Sequence, residues 1–294
     1  METQLIKIEP GVLNDLSIEQ YHTEKEYLSA SSVKQAVKSL AHFQHYRTAK
    51  QQRKSHFDFG NIFEIALLDM INGTFDFKDK VVIFDVEDRP QQDKGITSAI
   101  NQEWKKSILN GHKYVIETTG SESMETLQEM LNSCAKDATI QSLLRNTTYQ
   151  ESYFWVCPTT GVKLKARPDL RKKDKGVIID IKTTRDGSPK SFAKDVANLD
   201  YPIQAIMQIQ GAIESGAINK IEKYYWLAVE KEAPFNATIY EFDLADWQFV
   251  EDKLTYYLTL LKQAIAENKY VGYSQQADNK FGILTLELPL YYRY

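Results

Sequence analysis

Asp169, Asp180 and Lys182 are the residues of this chain whose types and spacing could do chemistry. Asp180 lies in the apolar run Val-Ile-Ile-Asp-Ile (177–181), which reads as a buried strand, and Lys182 follows it directly. Strand side chains repeat every two residues, so Asp180 and Lys182 share one face while Ile181 points to the other. Asp169 comes 11 residues before Asp180, across the polar turn 171–176, where an antiparallel partner can place it beside Asp180. Two carboxylates side by side in an apolar sheet repel, and burying either alone is costly. A hard divalent cation with oxygen ligands relieves both penalties. The lysine can orient or help deprotonate an attacking water, or steady charge on a phosphate. In outline this is metal-dependent phosphodiester hydrolysis.

Asp-x-Lys by itself is a common tripeptide. A hairpin with an acid at each end and a lysine for an ion pair also accounts for it. Pro168-Asp169, the ten residues between the two aspartates, and one apolar strand carrying Asp180 and Lys182 shift the balance. Together they resemble the PD-(D/E)xK nuclease core.

The elements that must position these residues can be read around them. Three short strands, 152–157, 162–170 and 177–181, alternate with turns at 158–161 and 171–176. Ser29 to Ser32 offer caps for a helix whose apolar residues recur over 33–41. The helix over 59–71 is apolar nearly all round and therefore buried, yet it carries Glu64 in its middle. Such a carboxylate needs a partner, either an ion pair or hydrogen bond, or a metal for which it is the third ligand. Gly60, one turn earlier, leaves room beside it for an ion or a DNA backbone. Pro189 opens a helix to Asn198, and another starts at Tyr201-Pro202. On the latter, Gln204 and Gln208 fall one turn apart on one face. That stripe either hydrogen-bonds a phosphate, a base edge or the lysine's surroundings, or is an exposed polar face. Glu151 stands at the edge of the first strand. Helices over 100–109, 122–144 and 244–267 and strands over 79–86, 111–116, 223–229 and 238–242 complete the chain. The fold class is α/β, a central mixed sheet flanked by helices, with one domain over 29–294 after an extended lead-in at 1–28.

Composition narrows the classes. The chain of 294 residues is 43% hydrophobic with a net charge of −4. That charge argues against a protein coated in positive charge, though not against a local basic channel. Lys163, Lys165, Arg167, Arg171, Lys172, Lys173 and Lys175 crowd the proposed site, and Lys34, Lys38, Arg47, Lys50, Arg53 and Lys54 form a second run. Each run is either such a channel or a solvated face. Two cysteines, Cys134 and Cys157, exclude a disulfide framework, a structural zinc site and a four-cysteine cluster. The five histidines show no ligand spacing, and His42 and His45 read as capping or surface residues. No Gly-rich phosphate loop is present, so nucleotide hydrolysis is unsupported. No run has the length of a membrane span and the N-terminus lacks a signal pattern, which gives a cytoplasmic expectation with no membrane partner.

Taken in order, these pieces resemble the RecE-type exonucleases, the nuclease region of exodeoxyribonuclease VIII and its phage relatives, over nearly the whole chain. Tyr21-His22 with 27–34 resembles the family's opening segment, and 59–68 its Gly-x-x-x-His helix. Ala166-Arg167-Pro168-Asp169 and Asp180-Ile181-Lys182-Thr183-Thr184 match its two core motifs, Tyr201-Pro-Ile-Gln204 its Tyr-x-x-Gln, and Leu286-Glu-Leu-Pro289 its closing motif. The family usually has histidine where this chain has Glu64, and commonly tyrosine where it has Gln208. Glutamate is also an oxygen ligand for Mg²⁺ or Mn²⁺, and lambda-type nucleases carry an acid on the equivalent helix.

The resemblance implies a Mg²⁺-dependent exonuclease on double-stranded DNA ends, with Mn²⁺ as a substitute. It implies 5′→3′ digestion that leaves 3′ single strands for recombination by an annealing partner, and a homo-oligomeric ring, tetramer or trimer. Asp169, Asp180, Glu64 and the Ile181 backbone carbonyl would hold metal, with Lys182 at the water. Glu151, Thr183, Tyr201, Gln204, Gln208 and Arg167 would support them or contact DNA. Two other readings are a sequence- or structure-specific endonuclease on the same core, and a non-catalytic DNA-binding or scaffold protein with a degenerate site.

Overall fold

The computed structural model describes residues 8–49, 55–73, 76–95, 97–109, 113–276 and 281–288. Strand β1 (Gly11–Leu13) leads into three short helices, α1 (Ile18–Thr23), α2 (Ala30–Lys38) and α3 (Leu40–Thr48). Each helix begins on a serine. The hydroxyls of Ser17, Ser29 and Ser39 accept backbone N–H groups that the first turn leaves free. Ser39 is fully extended, so it ends α2 and caps α3, and its hydroxyl also meets His42 Nδ1 at 2.6 Å. The single helix predicted over 33–41 is therefore two.

Helix α4 (Ser55–Asn72) is followed by α5 (Asp76–Lys80), β2 (Val81–Phe84), α6 (Ala99–Leu109) and β3 (Tyr114–Glu117), with β2 and β3 forming a parallel ribbon. The helix predicted over 122–144 breaks into α7 (Met124–Lys136) and α8 (Ala138–Leu144). The carboxylate of Asp137 stops the first by capping Thr139 and Ile140 of the second.

The centre of the chain departs from a simple meander. Strands β4 (Thr147–Tyr149), β5 (Ser152–Val156), β6 (Lys163–Ala166), β7 (Leu170–Lys172) and β8 (Val177–Thr184) follow one another. The strand predicted over 162–170 is β6 and β7, cut at Pro168. Proline has no N–H to give a ladder, so the chain leaves one sheet there and enters another. After α9 (Pro189–Asn198) and α10 (Tyr201–Glu214) come β9 (Lys223–Glu230), β10 (Ala237–Glu241) and the long α11 (Trp247–Glu267). The main sheet has the order β10-β9-β8-β7-β4, parallel only between β8 and β9. A second, antiparallel sheet has the order β1-β5-β6.

The segment predicted as an extended lead-in is built into the fold from residue 8 onward. β1 pairs with β5, Leu28 bridges Leu164, and the buried Lys165 ammonium donates to the α1 carbonyl of Tyr21 and to that of Glu24. A cation at the C-terminal end of a helix meets unpaired carbonyls and the negative end of the dipole. Nothing in the polar composition of 1–28 announces this, because the ammonium comes from elsewhere in the chain.

Two apolar cores lie on opposite faces of the main sheet. One joins α2, α3, α10 and α11 to Ile178, Tyr224, Trp226 and Ala228. The other joins α4, α7 and α8 to Val177, Ile179, Ile181, Leu227 and Val229. β8 thus alternates its side chains between the cores, as the period of two requires. Gly211 lets α10 lie against Trp155 of β5, since a Cβ there would come within 2.7 Å of the indole. Residues 281–288 carry no regular structure, and Pro289 and the closing aromatic residues lie outside the described residues.

Candidate active site

The alternation of β8 puts Asp180 and Lys182 on the α10 side. Asp180 is wholly buried. Gln204 and Gln208, one turn apart on α10, both donate side-chain amides to its Oδ1, at 2.7 and 3.2 Å. The Oδ2 atom faces the Lys182 ammonium as an ion pair and makes no hydrogen bond. The stripe read as a contact for phosphate, base or lysine surroundings is therefore spent on the aspartate.

β7 pairs antiparallel with β8 through Leu170 and Ile179, and continuing that register places Asp169 opposite Asp180. Asp169 Oδ2 accepts the Ile181 N–H at 2.6 Å. Burial raises the Asp169 carboxyl well above the ordinary aspartate range, and Glu64 and Asp180 push it further. Glu64, on α4, is raised for the same reasons, burial first, despite a long contact of 3.5 Å from Gln150 Nε2. Three acidic groups thus act on one another electrostatically from three elements.

Burial works to lower the Lys182 ammonium, but Asp180, Asp169 and Tyr201 outweigh it and hold it above the ordinary lysine value. Its Nζ lies 4.8 Å from the centre of the Tyr201 ring. A second ammonium, Lys34 of α2, lies 5.1 Å from the same ring and donates to Gln204 Oε1 at 3.2 Å. Burial and the charge of Lys182 bring Lys34 down to about 8. In the sequence Lys34 stands in a basic run and closes the segment 27–34, and neither feature points to Gln204.

Asp169, Glu64, Gln204 and Gln208 line a cleft of about 590 Å³ whose walls also include Tyr21, Tyr46 and Arg167. Arg167 is tied by Nε to Gln150 O at 2.9 Å and by Nη2 to Leu16 O, while Nη1 has no hydrogen-bond partner. α1 and α4 wall the cleft, and Lys80 and Lys113 also line it.

Three expectations are corrected. Glu151 does not join the site; both its oxygens are taken by Arg171 at 2.8 Å, and Tyr153 adds a third bond at 2.8 Å. These bonds commit the carboxylate to holding Arg171 and Tyr153. The room beside Gly60 is partly taken by Thr183 Oγ1, 3.5 Å from where a Cβ would stand. That contact also turns Thr183 to α4, away from the face of Asp180 and Lys182. Finally, much of the basic run after residue 162 is engaged in bonds within the chain, some at the surface and some buried. Lys163 pairs with Glu26, Lys165 holds α1, Arg171 holds Glu151, and Lys172 caps the last carbonyls of α8.

Among the described residues, no three His, Cys, Asp or Glu side chains converge closely enough to form a ready-made metal cage. The donor chemistry nonetheless fits a hard divalent cation. The donors are all oxygens, burial first and then neighbouring carboxylates raise Asp169 and Glu64, and Asp180 Oδ2 is a buried oxygen whose neighbour is already a cation. Among the described residues no helix is long and apolar enough to cross a membrane.

Comparison with known proteins gives a family and a fold. Residues 29–279 match the model of a family described as a PDDEXK-like domain of unknown function (DUF3799). None of the curated proteins matches. Among solved structures, a candidate exonuclease from Eubacterium rectale is similar, with a TM-score of 0.58 and 11% identity. The match covers 94% of this chain and 96% of that one. At such identity the likeness speaks for the fold alone.

Proposed function

The chain belongs to the PDDEXK-like domain family, and from that premise we propose that it is a divalent-metal-dependent exonuclease acting on double-stranded DNA ends. The observation that carries this reading is Asp180, buried with Oδ1 held by two amides and Oδ2 turned to Lys182, with Asp169 across the ladder. Asp169, Asp180 and Glu64, with the Ile181 carbonyl, would hold Mg²⁺ or Mn²⁺. Such an ion, when bound, polarises a phosphoryl oxygen and makes water a stronger nucleophile.

The residues of the chain supply the rest. Lys182 moves off Asp180 Oδ2 on its four-carbon stem, keeps its charge, and orients the attacking water or steadies the phosphate. Tyr201 holds both nearby ammoniums against its ring and so limits where they can go. Arg167, with one N–H pair unspent beside the cleft, is the candidate for a phosphate contact. A 5′→3′ direction, a ring around the duplex and transfer of 3′ strands to an annealing protein extend the same reading.

Digestion of a linear duplex labelled at either end, beside a closed circle, tests it. Early release of the 5′ label as mononucleotides with circles spared supports the exonuclease. Cut circles support the endonuclease.

A further inference from the structure

We infer that Tyr224 and Lys34 are positioning residues, which fix the orientation of Asp180 through two parallel amide relays. The inference rests on the metal-dependent reading above. Tyr224 is fully buried on β9, paired with Ile178 of β8. Its hydroxyl donates to Gln208 Oε1 at 2.7 Å, and Gln208 Nε2 donates to Asp180 Oδ1 at 3.2 Å. Lys34 donates to Gln204 Oε1 at 3.2 Å, and Gln204 Nε2 donates to the same Oδ1 at 2.7 Å. Both relays have one form: an outer donor, a glutamine carbonyl, a glutamine amide, and one carboxylate oxygen.

The groups at the two ends of each relay decide which way its amide faces. A glutamine side chain can turn about its last bond and exchange its carbonyl for its NH₂. A turned Gln204 would set its NH₂ against the Lys34 ammonium, which has no acceptor, and its carbonyl against a carboxylate oxygen. A turned Gln208 would likewise oppose its carbonyl to Asp180. Lys34 and the Asp180 carboxylate therefore select the orientation of Gln204, and the carboxylate selects that of Gln208, whose inward-donating form leaves its carbonyl to accept the Tyr224 hydroxyl. Edge contacts hold the Tyr224 ring, with centroids 5.4 Å from Trp226 and 6.3 Å from Phe242, so its hydroxyl cannot swing away. The result bears on the site directly. With two donors on Oδ1, the carboxylate cannot rotate, and Oδ2 alone is presented to a cation.

Residues that orient a metal-binding side chain from behind commonly change metal affinity when removed, by about tenfold or more. Mn²⁺ binding to the full chain, measured by calorimetry without DNA, gives the test. Tyr224→Phe keeps the ring and its packing and should weaken Mn²⁺ about tenfold. In a Gln208→Met background the same change should have no further effect, because the relay is already cut. Lys34→Met in wild-type and Gln204→Met backgrounds should behave in the same way, and it carries the test if Tyr224→Phe does not fold. Equal weakening in both backgrounds, or unchanged affinity, overturns the relays and leaves the nuclease reading standing. A wild-type chain that does not bind Mn²⁺ overturns the metal-dependent reading and the relays together.

Discussion

Lys182 and Asp180, two residues apart on one strand, meet as an ion pair in which the aspartate has no exposure and the lysine side chain only 16%. Removing the lysine leaves a buried carboxylate oxygen with no cation beside it. Lys182→Met should lower stability by about 3 kcal/mol in EDTA. Nuclease activity should fall by about 10²- to 10⁴-fold, the usual worth of a positioned acid–base group. Adding Mn²⁺ should recover part of the melting temperature but none of the activity. Thermal melts with and without metal, beside a digestion assay, check both.

Glu151 and Arg171 form a buried pair that holds β5 to β7 and takes no part in the site. Glu151→Gln should cost about 3 kcal/mol at neutral pH and leave turnover by the folded protein unchanged. Burial opposes ionisation of Glu151, but the hydrogen bonds from Arg171 and Tyr153 outweigh it and hold the carboxyl below its ordinary value of 4.5. The stabilisation is therefore full above 4.5 and is lost as pH falls through the lower folded value. Urea unfolding at a series of pH values should show the wild-type advantage shrinking only on the acid side.

Two helix glycines differ in what a methyl group would meet. At Gly60 it would find Thr183 Oγ1 at 3.5 Å, an ordinary contact, so Gly60→Ala should be neutral or stabilise by up to about 1 kcal/mol. At Gly211 it would come within 2.7 Å of Trp155, so Gly211→Ala should cost about 1–3 kcal/mol. It should also weaken Mn²⁺ binding, because α10 carries Gln204 and Gln208. Melting curves and metal titrations of the two variants separate the cases.

What was legible in the sequence follows from range. The shared face of Asp180 and Lys182 depends only on the period of a strand, and the approach of Asp169 depends on one turn. Both are local. The split of 162–170 was also marked, by Pro168, whose missing N–H cannot serve a ladder. The rest depends on partners distant in the chain. Lys34 reaches Gln204 across 170 positions, and Tyr224 reaches Gln208 only because β9 runs beside β8. Glu151 looked available because Arg171 stood among a run of lysines that reads as surface. In the fold, that run is distributed over caps and ion pairs.

Lys34 gives the site a pH response. Its ammonium, brought down to about 8, carries charge below that pH and loses it above. Duplex binding in Ca²⁺ should therefore weaken as pH rises through about 8. Lys34→Gln should bind more weakly at pH 7 and show no such step, which fluorescence anisotropy on a labelled duplex can follow.

The measurement closest to the central claim is release of acid-soluble nucleotides from linear duplex DNA by wild type and Asp180→Asn, in Mg²⁺ and in EDTA. The account predicts release by wild type in Mg²⁺ alone, with Asp180→Asn folded, able to bind DNA, and inactive in both. Release that survives EDTA, or an active Asp180→Asn, would contradict it.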